Sequence, residues 1–167
     1  MPQNHWLMKS EPGEFSIRDL AGRPKQREPW DGVRNFQARN MLRDQMAVGD
    51  PAFFYHSNCQ EPGIVGIVRI VRAGYPDDTA FDPDDKHFDP KSDPENPRWY
   101  RVDVELVRIF PRVISLQELK QYPELIDMPL VRRGNRLSVM PVAEAEWRFI
   151  LSLLPAHAKN QSRIGLS

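Results

Sequence analysis

The sequence predicts a small mixed α+β domain around a curled, partly closed sheet, with helices at intervals between the strands. Three observations predict it. Ala52 to His56 and Ile64 to Val71 are nearly continuous apolar, β-rich runs, as in strands buried on both faces or curled into a barrel. Arg101 to Leu106 alternates, with Val102, Val104 and Leu106 on one face and Arg101, Asp103 and Glu105 on the other, the pattern of a strand with one wet side. Helical spacing occurs between and after these strands, so the helices are interspersed with the sheet.

His5 to Lys9 reads as a first strand, ending at Ser10-Glu11-Pro12. Ser16-Ile-Arg-Asp19 carries a capping pattern and opens a short helix. "GRPKQREP" reads as a loop leading to Trp30. Arg34 to Met46 places Ala38, Leu42 and Met46 at steps of four on one helical face. Val48-Gly-Asp50 is a turn, and Gly66 within its strand marks a bend or a close approach. Tyr75 to Arg98 is rich in Asp and Pro; its prolines forbid long regular elements, while Tyr75, Phe81 and Phe88 offer apolar anchors for an ordered excursion. Ser115-Leu-Gln-Glu118 is a capping box, Leu137 to Met140 a short strand, and Ala143 to Leu154 a last helix with Trp147, Ile150, Leu151 and Leu154 on one stripe. Residues 1–154 are expected to form one domain and 155–167 a frayed tail.

A chain of 167 residues can bury about 70% of its unfolded surface, enough for a core without staples. Lys plus Arg equals Asp plus Glu, which argues against a strongly electrostatic grip on bulk duplex DNA. One cysteine, Cys59, forbids an intrachain disulfide and suits a reducing compartment. No signal peptide and no apolar run long enough for a membrane span is visible, so a cytoplasmic monomer with no membrane partner is expected.

Much chemistry is absent. There is no phosphate-binding Gly-Lys-Ser/Thr loop and no dinucleotide glycine fingerprint. One cysteine and four scattered histidines make no zinc spacing, and the Asp-rich stretch matches a calcium loop badly, with His87 where glycine belongs. Ser57 and His56 are adjacent on a strand and point to opposite faces, which breaks a nucleophilic pairing. No metal, cofactor or nucleophilic catalytic residue is expected.

The blocks "HWLMKSEPGEFSIRDL", "WDGVRNFQARNMLRD", "VGDPAFFYHSN", "PGIVGIVRIV", "FDPKSDPENPRWYRVDV" and "MPLVRRGNRLSVMPV" together resemble the EVE domain family, in order, from about His5 to Leu154. The resemblance implies a PUA-like fold, a small twisted barrel with helices around its rim, and kinship with YTH domains, which read a methylated adenine. It therefore implies a reader of a modified base in DNA or RNA, flipped into an aromatic-walled pocket.

In the YTH pattern a tryptophan in the loop before the first main helix walls the base cage, and Trp30 falls at the matching place. From composition alone Trp30 reads as a core residue under the helix. Stacking a base on an indole is worth about 1–3 kcal/mol. Around it, Lys9 and Ser10 leave the first strand in a block similar to the start of YTH domains, and Ser10 can bond a base edge. Asn35 offers donors and an acceptor to a base edge, or caps the helix that follows. His56, Ser57 and Asn58 end a strand where ligand contacts or a turn belong. Trp99 and Tyr100 point to opposite faces, so one of them can supply a second aromatic surface, and Tyr75 or Phe81 can serve instead. Leu137 and Ser138 resemble a segment lining the pocket floor. Arg34, Arg132 and Arg133 are the expected phosphate contacts.

The alternative is a small amidohydrolase acting on an acylated nucleoside, as in the related ASCH group, with Lys9, Ser10 and Glu11 supplying the polar chemistry. Lys9 would then need a lowered pKa.

Overall fold

A computed structural model describes residues 4–155. Six strands form one sheet: β1 (His5–Ser10), β2 (Arg27–Trp30), β3 (Pro51–His56), β4 (Gly63–Pro76), β5 (Tyr100–Ser115) and β6 (Val139–Val142). The helices are α1 (Ile17–Ala21), α2 (Phe36–Asn40), α3 (Leu116–Leu119) and α4 (Glu144–Ser152). The spatial order is β2-β5-β4-β3-β1-β6. Only β1 and β3 run parallel; the other pairs are antiparallel.

The α+β architecture holds, but the sheet is not closed into the expected barrel. Its two edges, β2 and β6, are four residues long and each carries a proline, Pro29 and Pro141. A proline has no N–H to donate, so it blunts a sheet edge and hinders further pairing. Curvature comes instead from the central β4–β5 ladder, whose register shifts at several bulges. Gly66 sits at one of them; a Cβ there would strike the Arg108 carbonyl and Ile17. This is the close approach that a glycine inside a strand announces.

Period-two alternation sends the strands' side chains into two cores. Trp6, Met8, Ala52, Phe54, Val102 and Val104 pack on one face under α1 and α2, with Trp30 among them. Leu7, Phe53, Tyr55, Ile64 and Met140 pack on the other with Trp147 and Ile150 of α4. Ser16 and Ser115 cap α1 and α3 as the sequence indicates. The expected helix from Arg34 to Met46 is shorter: Asn35 caps α2, and Met41–Gln45 continues as a π turn. "REPW" is a strand and not a loop, because an edge position tolerates Pro29. Of the expected tail, residues 156–167 lie outside the described residues. Among the described residues, no helix is long and apolar enough to cross a membrane.

Candidate functional site

Where β1 ends and β2 hands over to α2, the surface opens into a cleft of about 810 Å³. Its lining comes from four segments: the end of β1 with the turn after it, Arg23 before β2, Glu28 to Gly32, and residues 84–87 of the acidic excursion. The excursion is held in place from beneath. Asp77 is fully buried, accepts hydrogen bonds from the Gly32 amide at 2.9 Å and Arg34 at 3.0 Å, and caps Thr79. Arg34 also donates to the His87 carbonyl at 2.7 Å and to Val33 and Thr79. One arginine thus binds loop 77–87 to the segment that carries Trp30.

Trp30 keeps 7% of its surface, lies edge-on to Phe54 at 5.3 Å and to Phe15 at 6.5 Å, and lines the cleft. It is at once a core residue and part of the cleft wall. Phe15 and His87 are the other rings there. Asp31 follows Trp30, with Oδ1 3.9 Å from His87 Nδ1; Asp85 lies 3.4 Å from the same nitrogen. Burial pushes the Asp31 carboxyl up, the Asp77 carboxylate adds to it, and His87 and Arg101 oppose. Six carboxylates face three cations in the lining, Lys9, Arg23 and Lys86. Glu14 pairs with Lys86 and Glu28 with Arg23, which leaves Glu11, Asp31, Asp84 and Asp85 facing Lys9 in the lining, with Arg101 3.9 Å from Asp31. The cleft therefore favours a neutral or hydrogen-donating group over a phosphate.

Of the residues expected at the site, Trp30, Lys9 and Ser10 line this cleft. Ser10 donates its hydroxyl to the Phe15 carbonyl at 2.5 Å, so it can still accept from a ligand. Lys9 lies 5.7 Å from the Tyr55 ring centroid, and burial pushes its ammonium pKa down. Asn58 donates to Glu11 at 2.9 Å and supports the rim. The Ser57 amide bonds the Ser10 carbonyl, which fixes the end of β1.

Other expectations give way to structural roles. His56 Nε2 accepts the Ile17 amide at 3.1 Å at the start of α1. Asn35 Oδ1 accepts from the Ala38 amide at 3.0 Å; it is a helix cap. Trp99 is not the second cleft wall: it stacks on Phe36 at 4.8 Å, beneath Arg34, and its indole donates to Asp89 at 2.6 Å. Arg34 is no phosphate contact, since Asp77, Thr79 and two carbonyls occupy its donors. The Ser138 carbonyl accepts the Lys9 amide at 2.8 Å, beside the cleft and not in it. Leu137 lines a neighbouring depression, together with Arg132 and Arg133.

The sequence reading overlooked Asp31, Phe15, His87 and Asp85. Asp31 had a local signal, a carboxylate wedged between Trp30 and a glycine. The contribution of residues 84–87 depends on the burial of Asp77, one aspartate among many in its stretch.

The model of the EVE domain matches residues 4–153. The chain belongs to the EVE domain family. This EVE domain is 49% identical over 167 aligned residues to human thymocyte nuclear protein 1, covering 90% of this chain and 73% of the relative. The crystal structure of human THYN1 in complex with DNA containing 5-methylcytosine superposes with a TM-score of 0.86 at 49% identity, covering 90% of this chain and 97% of that one. A crystal structure of a Pseudomonas putida protein matches with a TM-score of 0.86 at 54% identity, over 89% of this chain and 98% of the other. An ASCH protein from Zymomonas mobilis matches at 12% identity with a TM-score of 0.54, over 90% of this chain and 99% of that one, which speaks to the fold alone.

Proposed function

We propose that this EVE domain is a non-catalytic reader that takes a modified base of DNA, of the 5-methylcytosine kind, into the Trp30 cleft. The observation that carries the reading is the placement of Trp30 and Asp31 side by side on an open concavity. The half-identical human relative crystallised with 5-methylcytosine DNA supports it. An aromatic surface stacks a base of any identity, and a carboxylate is the group that accepts from the cytosine exocyclic amine. Ser10 Oγ supplies a further acceptor. The acidic lining turns the phosphates away and leaves the base as the part that enters.

Magnitudes set what such a site reads. Burying one methyl contributes about 0.8 kcal/mol, and flipping a paired base costs a few kcal/mol. The reader should therefore prefer bases that are already unpaired or weakly paired. The hydrolase alternative draws support from the lowered Lys9 pKa, but the Ser10 proton is committed to the Phe15 carbonyl and Glu11 to Asn58.

The test is fluorescence polarisation with single-stranded oligonucleotides carrying one 5-methylcytosine or one cytosine, in DNA and in RNA. The methyl group should tighten binding about fourfold if it is merely buried, and about 10-fold or more in a fitted pocket. Trp30→Phe, checked for folding by circular dichroism, should weaken binding to the modified strand. Equal affinity of the wild type for modified and unmodified strands would overturn the proposal.

A further inference from the structure

Beside the acidic cleft lies a second depression of about 580 Å³, lined by Arg132, Arg133 and Arg136 with Asn35, Gln37 and Asn135 among others. We propose that this arginine face carries the sugar–phosphate backbone of the nucleic acid whose base enters the Trp30 cleft. The inference rests on the proposed function and adds to it the path of the strand.

The two depressions are built on adjoining stretches of chain. Asp31 and Gly32 line one, and Asn35 and Gln37, a few residues on, line the other. Lys9 lines the first, and its amide bonds the carbonyl of Ser138, next to Leu137 of the second. A nucleotide with its base in one therefore has its phosphates near the other. The charges agree with that direction, since the cleft is acidic and the neighbouring face holds three exposed arginines.

The arginines are presented by an ordered loop. Asn135 donates to the Pro129 carbonyl at 2.7 Å and accepts from the Leu137 amide at 2.8 Å, and Gly134 at φ +82° turns the chain between them. Asp127 is the one carboxylate in the lining, 3.5 Å from Arg132, and both side chains are mostly exposed. An exposed pair of this kind is worth little and yields readily to a phosphate. Among the described residues, neither Arg133 nor Arg136 has a carboxylate within ion-pair distance. The planar guanidinium fork of such an arginine matches a phosphate.

The experiment measures affinity for a short single-stranded DNA carrying 5-methylcytosine as a function of salt, for wild type, Arg133→Ala/Arg136→Ala, and Arg148→Ala as a surface control on α4. In parallel, calorimetry follows free 5-methyldeoxycytidine, which has no phosphate. Each lost phosphate contact lowers the slope of log K against log salt by about 0.7 on single strands. Between 50 and 200 mM salt the double variant should thus lose roughly sevenfold less affinity than the wild type. Nucleoside binding should be unchanged, and Arg148→Ala should behave as wild type. An unchanged slope in the double variant, with nucleoside binding intact, overturns the backbone path and leaves the reader standing. A wild type that ignores the nucleoside but shows the arginine-dependent slope sinks the reader and keeps the arginine face. Absence of oligonucleotide binding removes both.

Discussion

Arg34 Nη1 lies 3.0 Å from an Asp77 carboxylate that has no exposed side-chain surface. The pair is structural, and it helps place the side of the cleft formed by residues 84–87. Removing one partner of a buried ion pair leaves an uncompensated charge and costs about 3–5 kcal/mol. Asp77→Ala should therefore lower the unfolding free energy by that order in a urea titration. It should also weaken binding of the modified oligonucleotide, because residues 84–87 lose their anchor to Gly32. A variant of wild-type stability would show that the excursion is held by other contacts.

Acid should act through the same carboxylate. Burial raises the Asp77 pKa, but the donors from Thr79, the Gly32 amide and Arg34 outweigh it and hold the group below its ordinary value. The folded protein then binds fewer protons than the unfolded chain at low pH. The stabilisation is complete above the unfolded value of about 3.9 and disappears as pH falls through the lower folded value. Urea midpoints of wild type and Asp77→Asn should consequently converge below about pH 4. A gap between them that is constant from pH 7 to pH 3 would contradict this.

Gly32 and His87 meet more closely than any side chain would permit. A Cβ on Gly32 would lie 2.5 Å from His87 Nε2, and the residue has φ +78°. Gly32→Ala should cost about 1–3 kcal/mol in backbone strain and push the imidazole away from Asp31. The ring can swing aside, whereas the backbone angle has no such relief. His87→Ala in the Gly32→Ala background should thus recover only part of the loss, as a double-mutant cycle in thermal unfolding would show. Full recovery would mean that the clash, and not φ, carries the cost.

How much could be read beforehand follows from which contacts are local. The serine caps at Ser16 and Ser115 and the alternation in β5 are set within a few residues, and they were legible; the glycine at 66 signalled a close approach, but its partners, Arg108 and Ile17, are distant in sequence. The cap role of Asn35 was one of two readings, and only the position of the Ala38 amide decides it. Trp99 and Tyr100 were indistinguishable because adjacent strand residues differ only in the face they present. Trp99 went to Phe36 and Asp89 and does not line the cleft. Arg34 looked like a phosphate ligand since nothing in the sequence tells a buried aspartate at 77 from its exposed neighbour at 78. β2 was hidden by Pro29, which an edge strand accepts and a central one would not. The cleft was thus visible from its Trp30 side and invisible from the side that the excursion builds.

Asp31 offers the sharpest separation of stability from function. Burial and the nearby Asp77 carboxylate raise its pKa, so the folded state holds the proton more tightly than the unfolded chain. Its ionisation therefore opposes folding; that penalty develops as pH rises from about 3.9 through the folded value and is complete above it. About a third of the side chain, 36%, remains exposed, so solvent screening keeps the effect small. Asp31→Asn removes the charge and nearly preserves the shape. The variant should unfold at a slightly higher urea concentration than the wild type at pH 7, with the advantage vanishing below about pH 4. The same change replaces an acceptor-only oxygen pair by an amide that is half donor, so binding of 5-methylcytosine DNA should fall by about 5- to 150-fold, the worth of 1–3 kcal/mol at a base edge. A stabilised variant that still binds at wild-type strength would remove Asp31 from the recognition of the base.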